Sequence, residues 1–220
     1  MIIYTYRGRI MMRCKQCEIT DPERIREILS SVNIGRLATN GADGYPYITP
    51  VNFVFYKGHV YFHCALEGEK LDNVSRDPKV CFEVDVPLAY LEVTFNPERN
   101  PCRTHQFFHC VIIRGGARII PDGELKTAAL NALVKKHEGN TEFTPITPDS
   151  LGYKTCRVME VTPEKMTAKS DLGQRSPQRD YLRYIAENLV KRGLPGDLKA
   201  VREMGFTLEV DEKNRYKLKE

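Results

Sequence analysis

No stretch of this 220-residue chain approaches the ~20 consecutive apolar residues that a membrane-spanning helix needs, so a helical membrane protein is not expected. The opening "MIIYTYRGRI" carries charges where a signal peptide needs a long apolar run, and the chain is expected to stay in the cytosol. An excess of one charge is also lacking. The 33 basic residues against 29 acidic ones give a net charge of +4, which by itself makes no case for nucleic acid or an anionic membrane as partner. A small anionic ligand stays compatible with it. There is no internal repeat, no low-complexity tract and no glycine-rich dinucleotide fingerprint. Tryptophan is missing altogether, which excludes nothing. The seven cysteines are an odd number scattered through runs such as "KVCFEVDV" and "KTCRVMEV", a usage that suits reduced, partly buried thiols rather than a disulfide framework.

What is present is mostly strand pattern. "EITDPERIREILSSVNIG" begins with an amphipathic helix: Asp21 or Thr20 can cap it, Pro22 suits its first turn, and Ile25, Ile28, Leu29 and Val32 share a face. From Ile34 the period shortens. "IGRLAT", "YPYITPVNFVFY" and "VYFHCAL", separated by "NGADG" and "KGH", read as a three-strand antiparallel meander. A short helix and Pro78 follow, then strands in "KVCFEVDVPLAYLEV" and "FFHCVIIRGGARII". The helix "ELKTAALNALVKKH" aligns Leu125, Ala129, Leu130, Leu133 and Val134, and "TCRVMEVTPEKMTAK" supplies another strand. Six strands with marginal helices predict a mainly β fold, a small antiparallel barrel with flanking helices, because closure removes exposed edges.

After Ser170 the pattern changes to a linker, two helices and a hairpin "FTLEV-DEKN-RYKLK". A core of that size is marginal, so this tail is expected to dock on the barrel or on a partner subunit. The expected organisation is an N-terminal extension over 1–12, a barrel over 13–170 and a helical and hairpin appendage over 171–220.

The stretch "VYFHCALEGEKLDNV" passes from strand to helix. The first free amides of a helix carry partial positive charge, Gly68 permits close backbone approach, and Lys70 adds a full charge, so the turn is built like an anion seat. The hairpin before it should lay Thr49, Pro50, Val51 and Asn52 antiparallel to His63 and Cys64, beside a flat, extended ligand. A lysine in such a place is often only a solvated surface residue.

These residues carry a resemblance. The run from "GRLATNGADGYPYITPVNF" through "YFHCALEGEKLDN" to "KVCFEVD" resembles the pyridoxamine 5'-phosphate oxidase-like flavoproteins, and most closely their 5-nitroimidazole resistance branch. The similarity extends from about Arg13, through "NPCRTHQFFHCVIIRGGARII", to the strand ending near Lys169. It implies a six-stranded antiparallel split β-barrel of the FMN-binding type, a homodimer with flavin mononucleotide (FMN) at the subunit interface. It places flavin contacts at Ile48, Thr49, Pro50, Val51, Asn52 and Phe53, at His63 and Cys64, and at Lys70 for the phosphate. Cys110 falls where the oxidases have a flavin-facing glutamine. Ile48 replaces a phosphate-binding arginine of those oxidases, and Glu69 replaces a second. The implied activity is an FMN-dependent oxidoreductase passing electrons from a small-molecule donor to a small acceptor such as a nitroaromatic, with His63 as the candidate catalytic side chain. The rival reading is a non-catalytic flavin- or haem-binding carrier or sensor.

Other features have plainer readings. His63 could be a core histidine satisfied by a carbonyl. Cys102, His105, His109 and Cys110 have spacings that could ligate zinc or support haem, but no second cysteine pair completes a tetrahedral set, and no metal is expected. Cys14 and Cys17 form a bare C-x-x-C that reads as two ordinary thiols. The tail invites a winged-helix comparison, yet lacks a third helix and a strong positive charge, so no DNA binding is expected.

Overall fold

The computed structural model describes residues 14–174 and 179–219, so the expected extension over 1–12 lies outside the described residues. The Asp21 carboxylate accepts the Glu23 amide at 3.0 Å and starts helix α1 (Pro22–Ser31), which buries Ile28 and Leu29. Strands β2 (Ile34–Asn40) and β3 (Pro46–Asn52) follow a two-residue strand β1 (Glu18–Ile19) and pair antiparallel from Ile34 opposite Asn52 to Asn40 opposite Pro46. Next come β4 (Val54–Tyr56) and β5 (His59–Cys64), joined by Lys57 and Gly58 at φ of 49° and 86°. Two successive positive φ values are what a tight hairpin needs for its twist to match the strands. Helix α2 (Glu69–Arg76), the long strands β6 (Lys79–Leu91) and β7 (His105–Ile120), helices α3 (Glu124–Glu138) and α4 (Leu151–Lys154), and strand β8 (Arg157–Asp171) complete this part.

The hydrogen-bonded order is β3-β2-β6-β7-β8-β5-β4, with β1 added on β8. Its two outermost strands, β3 and β4, are separated in the chain by Phe53 alone, so the sheet must curl until its ends meet. The fold is therefore mainly β, a curled antiparallel sheet of the split-barrel type with flanking helices. The sheet has eight strands rather than the expected six. "YPYITPVNFVFY" divides into two strands at Phe53, whose amide still meets the Asn33 carbonyl at 3.4 Å in the β2/β3 register, and β1 adds the other strand.

The chain divides into two compact units. The first, described over 20–85 and 111–168, holds the barrel. Phe53 and Phe82, both fully buried, meet edge-on at 4.9 Å in its interior. The Phe82 ring lies so close to Gly35 that a Cβ there would fall 2.1 Å from it. A second cluster packs Val54, Tyr61 and Val158 against Ala129, Leu130 and Leu133 of α3.

The second unit takes in 14–19, 86–110, 169–174 and 179–219. Helices α5 (Arg179–Arg192) and α6 (Pro195–Glu203) bury Ile185, Leu189, Ala200 and Val201 in one cluster with Ala89, Leu91, Phe95 and Phe107. The tail thus shares a core with strand and loop segments far upstream. Arg192 adds a polar tie, donating to Asp197 at 2.7 and 2.9 Å, to the Tyr90 carbonyl at 3.0 Å and to Glu92 at 2.5 Å. The expected hairpin is present as β9 (Leu208–Val210) and β10 (Tyr216–Leu218), with Tyr216 opposite Val210. No described helix is long and apolar enough to cross a membrane.

Candidate functional site

Alternation along β3 turns Ile48, Pro50 and Asn52 outward and Thr49 and Val51 inward, while Phe53 is fully buried. Ile48 is 61% exposed, a large apolar side chain on an open strand face. On β5 Val60, Tyr61 and Phe62 are buried in succession, His63 is exposed and Cys64 is buried. Strand β8 holds both in register, with His63 opposite Val158 and Cys64 opposite Arg157. The expected ladder between Thr49–Asn52 and His63–Cys64 does not form. β3 bonds to β2, and β5 bonds to β4 and β8, because the chain passes at Phe53 from one end of the sheet order to the other.

The break keeps the two strand ends facing a common space. Extending the β4/β5 register, in which Val54 faces Tyr61, by two residues would set Asn52 across from His63. Both line one cavity of about 430 Å³, walled by Leu130 and Leu133 of α3 and by Ile146, with His137 beside them. His137 Nε2 is buried without a hydrogen-bond partner among the described residues. Burial holds the His137 imidazolium below its usual range, with the Lys136 and His63 charges acting the same way and Glu138 opposing them. His137 was not singled out from the sequence. Its place one helical turn beyond Leu133, on the buried face of α3, was the available signal.

Lys70 lies in the first turn of α2, half-buried, behind Gly68 at φ 138°, a conformation that strains any residue with a Cβ. Burial raises the Cys64 thiol above its usual range, while the charges of Lys70 and, further down, Arg157 pull it back. Both cations thus favour the Cys64 thiolate. Arg157 also donates from Nε to the Leu66 carbonyl at 3.0 Å, which fastens the strand-to-helix turn to β8. Sequence reasoning passed over Arg157 because it is merely the first residue of a strand far along the chain.

Cys110 belongs to the second unit, half-buried in β7, and does not line this cavity. Cys102 and His105 share a different cavity of about 480 Å³ within the second unit. There His105 Nε2 lies 3.0 Å from Asp171, which Lys169 also pairs at 2.9 Å. Among the described residues, no three His, Cys, Asp or Glu side chains gather as a metal site.

The profile of the family described as pyridoxamine 5'-phosphate oxidase matches residues 21–170. The chain belongs to the pyridoxamine 5'-phosphate oxidase family. A search of curated proteins found no sequence match. Solved structures share this family fold at low identity. A candidate 5-nitroimidazole antibiotic resistance protein from Bacteroides thetaiotaomicron is 23% identical, covering 70% of this chain and 86% of its own, with a TM-score of 0.58. The flavocytochrome Anf3 from Azotobacter vinelandii is 18% identical, covering 79% and 78%, with a TM-score of 0.63. An FAD and heme binding protein from Mycobacterium smegmatis is 14% identical, covering 76% and 78%, with a TM-score of 0.61. At these identities they establish the fold alone. Within the pyridoxamine 5'-phosphate oxidase family match lie Ile48–Phe53, His63, Cys64, Lys70, Cys110, His137 and Arg157; the C-x-x-C at Cys14 and most of the tail lie outside it.

Proposed function

We propose that the protein is an FMN-dependent oxidoreductase that reduces a small acceptor such as a nitroaromatic, with its flavin at a homodimer interface. The observation that carries this reading is the strand-to-helix turn, which Arg157 ties at the Leu66 carbonyl and which leads into the helix turn bearing Lys70, directly after the strand end whose His63 shares a cavity with Asn52. The donor set fits a flavin phosphate: an ammonium, a guanidinium with its terminal amino groups to spare, and the positive end of an eight-residue helix. Bound FMN supplies the electron transfer itself.

The chain's own side chains then bind and orient. Lys70 and Arg157 neutralise the phosphate. Ile48 and Pro50 offer an apolar strand face for a flat ring, and Asn52 and His63 offer polar edges where that face meets the cavity. The apolar wall of Leu130, Leu133 and Ile146 excludes water from a small acceptor. Exposed Ile34, Tyr45, Ile48 and Leu66, at 53, 75, 61 and 52%, support a second copy of this chain as the cover. In the same reading Cys110 takes the place of a flavin-facing glutamine, and the protein acts in the cytosol.

A second reading, a non-catalytic flavin- or haem-binding carrier, draws support from the His105 cavity and from two fold relatives named for haem as well as flavin. The visible spectrum of purified protein separates the two. Flavin released on denaturation, bleached by a reduced nicotinamide and reoxidised by a nitroimidazole supports the oxidoreductase. A Soret band with no releasable flavin overturns it.

A further inference from the structure

The C-x-x-C near the start of the described chain lies before the family match and plays no part in the flavin reading. Cys14 and Cys17 flank a single 3-10 turn, closed by the Cys17 amide donating to the Cys14 carbonyl at 3.1 Å. Their sulfurs stand 3.1 Å apart. A disulfide needs about 2.05 Å, so side-chain rotation of about 1 Å closes the gap while the turn stays in place. The two thiols differ in exposure. Cys14 is half-buried, whereas Cys17 is 1% exposed. Gln16 Oε1 lies 3.9 Å from the Cys14 sulfur and Gln174 Oε1 4.0 Å from that of Cys17. The two sulfurs already touch, that of Cys14 partly exposed and that of Cys17 buried.

We propose that Cys14 and Cys17 form a redox-active dithiol that is oxidised to a disulfide by a low-molecular-weight disulfide. Cys14 attacks one sulfur of the small disulfide RSSR, making a Cys14–SR bond and releasing one RS⁻. Cys17 then attacks the Cys14 sulfur, the Cys14–Cys17 bond forms, and the second RS⁻ leaves. The two cysteine protons end on the two RSH products. The cysteines lose two electrons and the small disulfide gains them. Attack through Cys14 and resolution by Cys17 follow from exposure, since a buried sulfur cannot meet a bulky disulfide first.

The test uses the full chain and glutathione disulfide as the probe. Lys15 lies between the thiols, so trypsin cuts the reduced turn, and after oxidation only a disulfide joins the fragment 14–15 to the fragment 16–24. Reduced protein is treated with excess glutathione disulfide, quenched by alkylation under denaturing conditions, digested and weighed. The expected product is the joined pair of fragments, reopened by dithiothreitol. Cys17→Ser should halt at a glutathione adduct on Cys14, and Cys14→Ser should slow modification of Cys17 by about tenfold or more. Wild-type protein with both thiols alkylated, a lasting glutathione adduct on Cys14, or Cys17 joined to another cysteine would each overturn the proposal. The wild-type experiment decides even where a variant folds poorly.

Discussion

Removing the charge of Lys70 tests the phosphate reading most directly. Lys70→Ala deletes an ammonium that lies at the mouth of α2 and acts on Cys64 together with Arg157. A charge-assisted hydrogen bond to phosphate contributes ~1.5 to 3 kcal/mol, which corresponds to a roughly ten- to hundredfold loss of FMN affinity. In the proposed reading Ile48 and Glu69 supply no positive charge where the oxidases have arginines, Lys70 and Arg157 would share the phosphate charge, and the expected loss lies in the upper half of that range. Arg157→Ala should cost less phosphate affinity than Lys70→Ala. Its Nε is already committed to Leu66, and its loss also frees the strand-to-helix turn, so some of its effect should appear with any flavin. The two changes should fail to add, since both cations address one group. Riboflavin has no phosphate and should bind Lys70→Ala nearly as it binds the wild type, while His63→Ala should weaken both ligands. The assay is a pair of fluorescence titrations, FMN and riboflavin, on apoprotein at fixed salt. Equal losses for the two flavins in Lys70→Ala would refute the assignment, and so would an unchanged FMN affinity.

Three further outcomes follow from the packing. Gly35→Ala puts a Cβ 2.1 Å from the Phe82 ring, which is locked against Phe53, and urea unfolding should show a loss of ~1 to 3 kcal/mol. Lys136 sits 3.6 Å above the Phe53 ring and donates to the Leu29 carbonyl at 3.1 Å, and burial pushes its ammonium down to about 8. The native state sheds this proton near pH 8 while the unfolded chain keeps it to about 10.5, so the unfolded state binds more protons in that window and stability rises with pH. After discounting for solvent screening the rise is about 2 kcal/mol, and Lys136→Met should lack it when unfolding is measured across pH 7.5 to 10.5. Flavin-loaded protein should scatter light as a dimer at micromolar concentration; a loaded monomer would contradict the interface reading.

Much of this protein was readable one segment at a time. Asp21 and Pro22 start α1 through contacts within a single turn, and the alternation in "YITPVN" decides which side chains of β3 face out, because a strand's period acts on neighbours two residues away. The turn at Gly68 was legible for the same reason, since its positive φ and the start of α2 are set by immediate neighbours. Local signals did not reveal that "YPYITPVNFVFY" breaks at Phe53. Its apolar pattern runs on unbroken, and the break arises because a closing sheet must carry the chain from one edge to the other. Nor could they bring Arg157 to Cys64, or His137 to His63. Those meetings depend on β8 pairing with β5 and on α3 lying against the strand ends, and a long-range pairing register leaves no mark on the composition of either partner. The sequence by itself determined the helices, six of the strands and the outward face of β3. Only the tertiary structure decided which charges share a site, since Coulomb and hydrogen-bond energies depend on separation in space, which is set when the sheet closes.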